Sequence, residues 1–260
     1  MTFLEIYLSG LAVIMLALTI LWLISLILKD SSIVDIFWGT GFVIAGLTYF
    51  ALTDGFETRK AIIIIMVTLW GLRLTLHLGK RNIGKPEDYR YQNWRNQFGE
   101  KWWWLSYFRV FVLQGVILWL VSIPIIQAQY HTSPDNLTIF DYLGIIVWGM
   151  GLFFEAVGDW QLTRFKANPD NKGKVLNTGL WRYTRHPNYF GDAMIWWGLF
   201  LVALSTPAGF LTILAPLFMT FLLLRISGVA MLERSLKKKK PEYAEYIEKT
   251  SAFIPMPPKR

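Results

Sequence analysis

The sequence predicts an all-α, polytopic integral membrane protein: about seven transmembrane helices around a polar, cytoplasm-facing cavity. Three observations carry that expectation. Of the 260 residues, 54% are hydrophobic and only 17% charged, where an ordinary soluble domain has about 25% charged. Apolar runs of bilayer length recur along the chain, whereas outer-membrane strands alternate polar and apolar residues. Lys and Arg gather in loops on one side of those runs, as the positive-inside rule requires. The chain has no cysteine, which excludes disulfides, thiolate metal sites and cysteine nucleophiles.

Taken in order, the apolar segments cover residues 3–28, 33–52, 61–78, 105–126, 139–154 with a polar continuation, 189–204 and 208–231. The first is too long for the apolar part of a signal peptide and lacks a small-residue cleavage site before Lys29, so it is expected to stay as an anchor. Loops 79–104 and 164–188 carry six basic residues each and the tail after Met231 carries eight, whereas loops 53–60, 127–138 and 205–207 carry two, none and none. The basic loops and the C-terminus are therefore expected in the cytoplasm, and seven spans then place the N-terminus outside, in the inner membrane if the source is bacterial. The net charge of +8 is thus a topological signal and not a nucleic-acid one. The basic run at 237–240 reads as a solvated stretch near anionic lipid headgroups, followed by a short helix over 241–249.

Ionisable residues inside apolar segments are costly and face a protein-lined or watered space. Here they are Asp35, Arg73, His77, Arg109, Asp141, Glu155, Asp159 and Arg225, with Asp192 just inside the sixth segment. With the deduced orientation, all but Asp141 fall in the cytoplasmic half. Arg73, His77 and Arg81 are spaced by four, as are Glu155 with Asp159 and Asn188 with Asp192, so each set shares one helix face. A charge near a helix end can also snorkel to the interface, which suffices for Arg109 and Asp141. The set as a whole predicts a cavity ringed by spans two, three, five, six and seven, fit for a large charged cofactor that meets a lipid-soluble substrate.

Residues 179–192 read Gly-Leu-Trp-Arg-Tyr-Thr-Arg-His-Pro-Asn-Tyr-Phe-Gly-Asp. Pro187 disfavours helix at His186 and opens the next span at its first turn. Arg182, Arg185 and His186 then cluster where that helix begins, an arrangement expected to attract an anion. The segment resembles the C-terminal signature of the membrane steroid 5-alpha-reductase superfamily, in its bacterial branch. Sterol reductases of the delta-14 type and isoprenylcysteine carboxyl methyltransferases carry similar stretches. The resemblance runs from about Gly149 to Pro255 and includes Gly149-Met-Gly151, Gly158-Asp159-Trp160, Arg225 and the closing Tyr243, Tyr246 and Phe253-Ile-Pro255.

The resemblance implies one transmembrane domain, with substrate-side helices in 1–148 and a cofactor-binding region in 149–260. By it Asp159, either Arg164 or Lys166, Asn188, Asp192 and Arg225 fall at NADPH-binding positions. Arg182, Arg185, His186 and Tyr189 belong to the same candidate cofactor set. A histidine that the reductases carry after the span-seven arginine is absent here, where Gly228, Val229 and Ala230 follow. On the substrate side, Asp35 stands nearest the reductases' acidic residue and Trp70 nearest their tyrosine. Asp35 can act as an acid if burial keeps it protonated, and Tyr89 and Tyr91 are the other candidate proton donors. No metal site is expected.

The function expected is NADPH-dependent reduction of a conjugated C=C bond in a lipophilic small-molecule substrate held among membrane lipids. The basic loop 164–188, with Arg164, Lys166, Lys172 and Lys174, favours a cofactor with several phosphates. The alternatives are an S-adenosylmethionine-dependent membrane methyltransferase and a non-enzymatic lipid-binding protein.

Overall fold

The computed structural model describes residues 1–226, 229, 233 and 242–259. Among these the chain is helical throughout, with no strand. Residues 227, 228, 230 and 231 of the last expected span lie outside the described residues, as do the basic run at 237–240 and Arg260. The protein is a multi-pass membrane protein: among the described residues, six helical stretches are long and apolar enough to cross a bilayer. They are Phe3–Leu28, Ile33–Leu52, Glu57–Asn82, Tyr89–Tyr130, Ile139–Ala167 and Gly209–Ile226. The sixth expected segment is also helical, over Pro187–Leu204, but Asn188, Tyr189 and Asp192 in its first turns dilute its apolarity.

The contacts divide the chain into two compact units, Met1–Thr138 with Ala203–Thr212, and Ile139–Val202 with Ile213–Arg260. The first unit holds α1 (Phe3–Leu28), α2 (Ile33–Leu52), α3 (Glu57–Asn82), α4 (Tyr89–Phe98) and a long bent run. That run consists of α5 (Trp102–Ser106), a π-helical turn at Tyr107–Val112, α6 (Leu113–Val121) and α7 (Ile123–Tyr130). A capping box starts α1: Thr2 Oγ1 accepts from the Glu5 N–H and Glu5 Oε2 accepts from the Thr2 N–H, which satisfies two amides that a helix start leaves open. Along α1, Leu16, Ile20 and Ile27 are exposed. Such an apolar stripe is tolerable because hydrocarbon and not water covers it.

The two basic residues of loop 53–60 prove to be internal. Arg59 is 0% exposed and donates to the Pro134 and Asn136 carbonyls at 3.1 and 2.8 Å. Lys60 donates to the Thr53 carbonyl at 2.6 Å and to Glu57 at 3.1 Å. They tie the loops at that end of the unit together.

The second unit is built on α8 (Ile139–Ala167) and α9 (Pro187–Leu204), followed by α10 (Leu214–Phe221), a π-helical turn at Leu222–Ile226 and α11 (Tyr243–Lys249). Glycines let α8 and α9 touch backbone to backbone. A Cβ at Gly144 would sit 2.8 Å from the Gly198 carbonyl oxygen, and one at Gly151 2.7 Å from that of Gly191. At Gly158 it would meet the Asn188 amide at 3.1 Å. Small residues at helix crossings permit such close approach where no hydrophobic force drives the helices together. The contact brings the polar end of α8 beside the polar start of α9.

Candidate functional site

Within the second unit, Asp159 lies in α8 one turn after Glu155, and both are buried. Asn188 follows Pro187 at the start of α9, and its Nδ2 donates to Asp159 Oδ1 at 3.0 Å. The Asn188 side-chain oxygen, Oδ1, is buried and accepts no hydrogen bond. A buried acceptor left open costs about 1–3 kcal/mol, so it marks a place where a ligand's N–H or O–H is favoured. Asp192 stands one turn further along α9, after Gly191, whose backbone packs on that of Glu155. Asn188 thus pairs with Asp159, across the helix contact.

The expected cations divide into two groups. Arg164, Lys166, Arg182 and Arg225 are exposed; Arg164 lies with its guanidinium 5.6 Å from the centre of the Trp160 ring, and Arg225 sits in the π-helical turn after α10. Arg185 and His186 are different, and the expectation that they attract a cofactor anion is corrected here. Arg185 is buried and its Nε and Nη1 are engaged inside the protein. Nε pairs with Glu233 at 2.7 Å, and Nη1 donates to the carbonyls of Ile247, at 3.0 Å, and Thr250. His186 is buried as well, with Nε2 3.4 Å from Glu233 and its ring stacked on Tyr189 at 5.5 Å. A guanidinium whose donors already hold carbonyls and a carboxylate has little left for a phosphate.

Glu233 was not legible as a site residue in the sequence. Burial pushes its carboxyl up, but the hydrogen bonds from His186 and Arg185 and the Arg185 charge outweigh that and bring it down to about 2. Burial pushes the Tyr243 phenol up to about 12.

The substrate-side candidates lie in the first unit. Asp35, in the first turn of α2, accepts from Arg90 Nη2 at 2.7 Å on one oxygen and from the Tyr91 phenol at 2.7 Å on the other. Arg90 is held in turn by Asp88, Nε to Oδ1 at 2.9 Å. Burial acts to raise the Asp88 carboxyl, but its hydrogen bonds from Arg90 prevail and lower it. Gln114 of α6 donates to the Tyr91 oxygen at 3.3 Å. Two expectations change. Asp35 is an acceptor with both oxygens engaged, so the hydrogen available in this cluster is the phenol's. Tyr89 points elsewhere and is 58% exposed, because helix positions two apart lie about 200° apart. Arg90 and Gln114 escaped the sequence reading; a glutamine in an apolar segment was the signal that could have found the second.

Among known proteins, a family profile described as a protein of unknown function (DUF1295) matches residues 21–250. An uncharacterized protein of Schizosaccharomyces pombe is 27% identical over 267 aligned positions, which cover 91% of this chain and 76% of the relative. The Delta(14)-sterol reductase of the same yeast is 30% identical over 111 residues, 37% of this chain and 25% of its own length. A probable O-methyltransferase of Ustilaginoidea virens is 46% identical over 46 residues, 18% of this chain and 16% of its own. No solved structure matches significantly.

Proposed function

The chain belongs to the DUF1295 family, and from that premise we propose that it is a membrane reductase of the steroid 5-alpha-reductase type, using NADPH to saturate a conjugated C=C bond in a lipophilic substrate. The observation that carries this reading is the open Asn188 side-chain oxygen, Oδ1, beside Asp159. Buried acceptors favour the donors of a carboxamide or a ribose, and the exposed cations Arg164, Lys166 and Arg182 suit phosphates. The longer of the two partial matches to a named enzyme, that with the sterol reductase, favours the same chemistry.

When bound, NADPH supplies a hydride. In this reading Asn188 and Asp192 orient the nucleotide, the glycine-mediated contact of α8 and α9 holds Asn188 against Asp159, and the cations and Arg225 take the phosphates. Tyr91 is the proton donor. Its O–H donates to Asp35 in the resting arrangement, and a substrate oxygen that draws that hydrogen away is stabilised as negative charge develops there. Arg90 keeps Asp35 in register.

A methyltransferase using S-adenosylmethionine is the second reading, favoured by the short match at 46% identity. One experiment separates the two. Protein purified in mild detergent without added cofactor is analysed by mass spectrometry for bound nucleotide, then titrated with NADPH, NADH and S-adenosylmethionine. Binding of NADPH in preference to NADH is expected; binding of S-adenosylmethionine alone would sink the reductase.

A further inference from the structure

Segment 242–259 is fastened to the turn that precedes α9 by a set of backbone and side-chain hydrogen bonds. Besides the two carbonyls held by Arg185 Nη1, the Arg185 N–H donates to the Ser251 carbonyl at 2.9 Å and the Met256 N–H to the Tyr183 carbonyl at 2.9 Å. Thr184 Oγ1 donates to the Phe253 carbonyl at 2.8 Å, and the Tyr246 phenol donates to the Trp181 carbonyl. Phe253 also packs edge-on against Phe190 of α9 at 5.8 Å. The Arg185 side chain therefore plugs the end of α11, where helix carbonyls are left without partners. Three residues later the same turn presents Asn188.

We propose that residues 242–259 form a strap locked by Arg185, and that strap docking sets the position of Asn188. Arg185 is a positioning residue: it touches the strap and acts on the ligand site through the turn. The nucleotide part of this rests on the cofactor reading given above; the strap part does not. By linkage, a ligand that favours the Asn188 position favours the docked strap by the same factor.

The absence of native cysteine allows single-site labelling of the full-length protein in detergent. Thr250→Cys, at a position 5% exposed, reports the strap; Asn188→Cys reports the turn; Asp170→Cys, at an exposed position, is the reference. Maleimide labelling at Thr250→Cys should be slow, and Arg185→Lys, which keeps the charge but loses the fork, should accelerate it about tenfold, the loss of one to two hydrogen bonds. Asn188→Cys should accelerate in parallel while Asp170→Cys stays constant. Tyr246→Phe, which removes one hydroxyl, should give a smaller acceleration and serves if Arg185→Lys does not fold. Saturating NADPH should slow labelling at Thr250→Cys.

An unchanged Thr250→Cys rate in both folded variants would overturn the lock. Acceleration at Thr250→Cys without acceleration at Asn188→Cys would overturn the link to the site, as would NADPH that binds and leaves the strap rate unchanged. If no nucleotide binds, the cofactor reading fails by itself and the two labelling rates still decide the strap.

Discussion

Asn188 can do only one of two things with its side-chain oxygen: leave it open at a cost in stability, or offer it to a ligand. A residue that merely caps the start of α9 would cost about 1 kcal/mol of stability when changed to Ala. The ligand reading predicts that Asn188→Ala, whatever stability it loses with the bond to Asp159, weakens NADPH binding by about 1 kcal/mol, roughly fivefold. Asp192→Ala should weaken it by about 1.5–3 kcal/mol if the carboxylate accepts from the nucleotide. Titration of the purified variants beside their melting curves decides; lost stability with retained affinity would make both residues structural. On the substrate side, Tyr91→Phe should slow turnover by about 10²–10⁴ while nucleotide affinity holds, and Tyr89→Phe should change neither. Equal effects at the two tyrosines would remove the special standing of the phenol bonded to Asp35. Tyr89 and Tyr91 were equivalent as letters; only the direction each takes from α4 separates them.

Between α8 and α9 the decisive quantity is the room for one carbon atom. Gly151→Leu would drive a Cβ to 2.7 Å from the Gly191 carbonyl oxygen and the Ile195 amide, backbone atoms that cannot swing aside, and should cost about 1–3 kcal/mol. Gly149, two residues away, has nothing within 4 Å of an added Cβ. Gly149→Ala should be neutral or stabilising by about 0.5–1 kcal/mol through helix entropy. Thermal melting in one detergent compares the two, and equal losses would contradict the close contact. The Gly149-Met-Gly151 motif was visible in the sequence, yet which glycine matters depends on the partner helix. The strap makes a pH prediction at the same scale. Glu233 is held at about 2 against an ordinary 4.5, so its contribution is present in full above pH 4.5 and lost as pH falls through about 2. Protection of Thr250→Cys, read by pulse labelling after return to neutral pH, should be flat from pH 8 to about 5 and fail below the carboxylate range. Loss near pH 6 would point to a different group.

For the molecule as a whole, the charge map predicts orientation. Of the basic residues, 21 lie in stretches assigned to the cytoplasm and two, Arg59 and Lys60, in a loop assigned to the other side. Those two are buried and bonded to loop carbonyls and Glu57, so they act as internal struts and not as free surface charge. A reporter fused after Arg260 should be active only in its cytoplasmic form, and activity of a periplasmic reporter there would reverse the orientation. The helical membrane class and the helices Phe3–Leu28 and Ile33–Leu52 were readable from the sequence alone, because a bilayer demands length and apolarity, and both are properties of a single segment. The pairing of Asn188 with Asp159, of Tyr91 with Asp35, and of Arg185 with the strap was decided only by the tertiary structure. Each joins residues at least 29 positions apart, and a hydrogen bond depends on direction and separation in space, which no single segment carries.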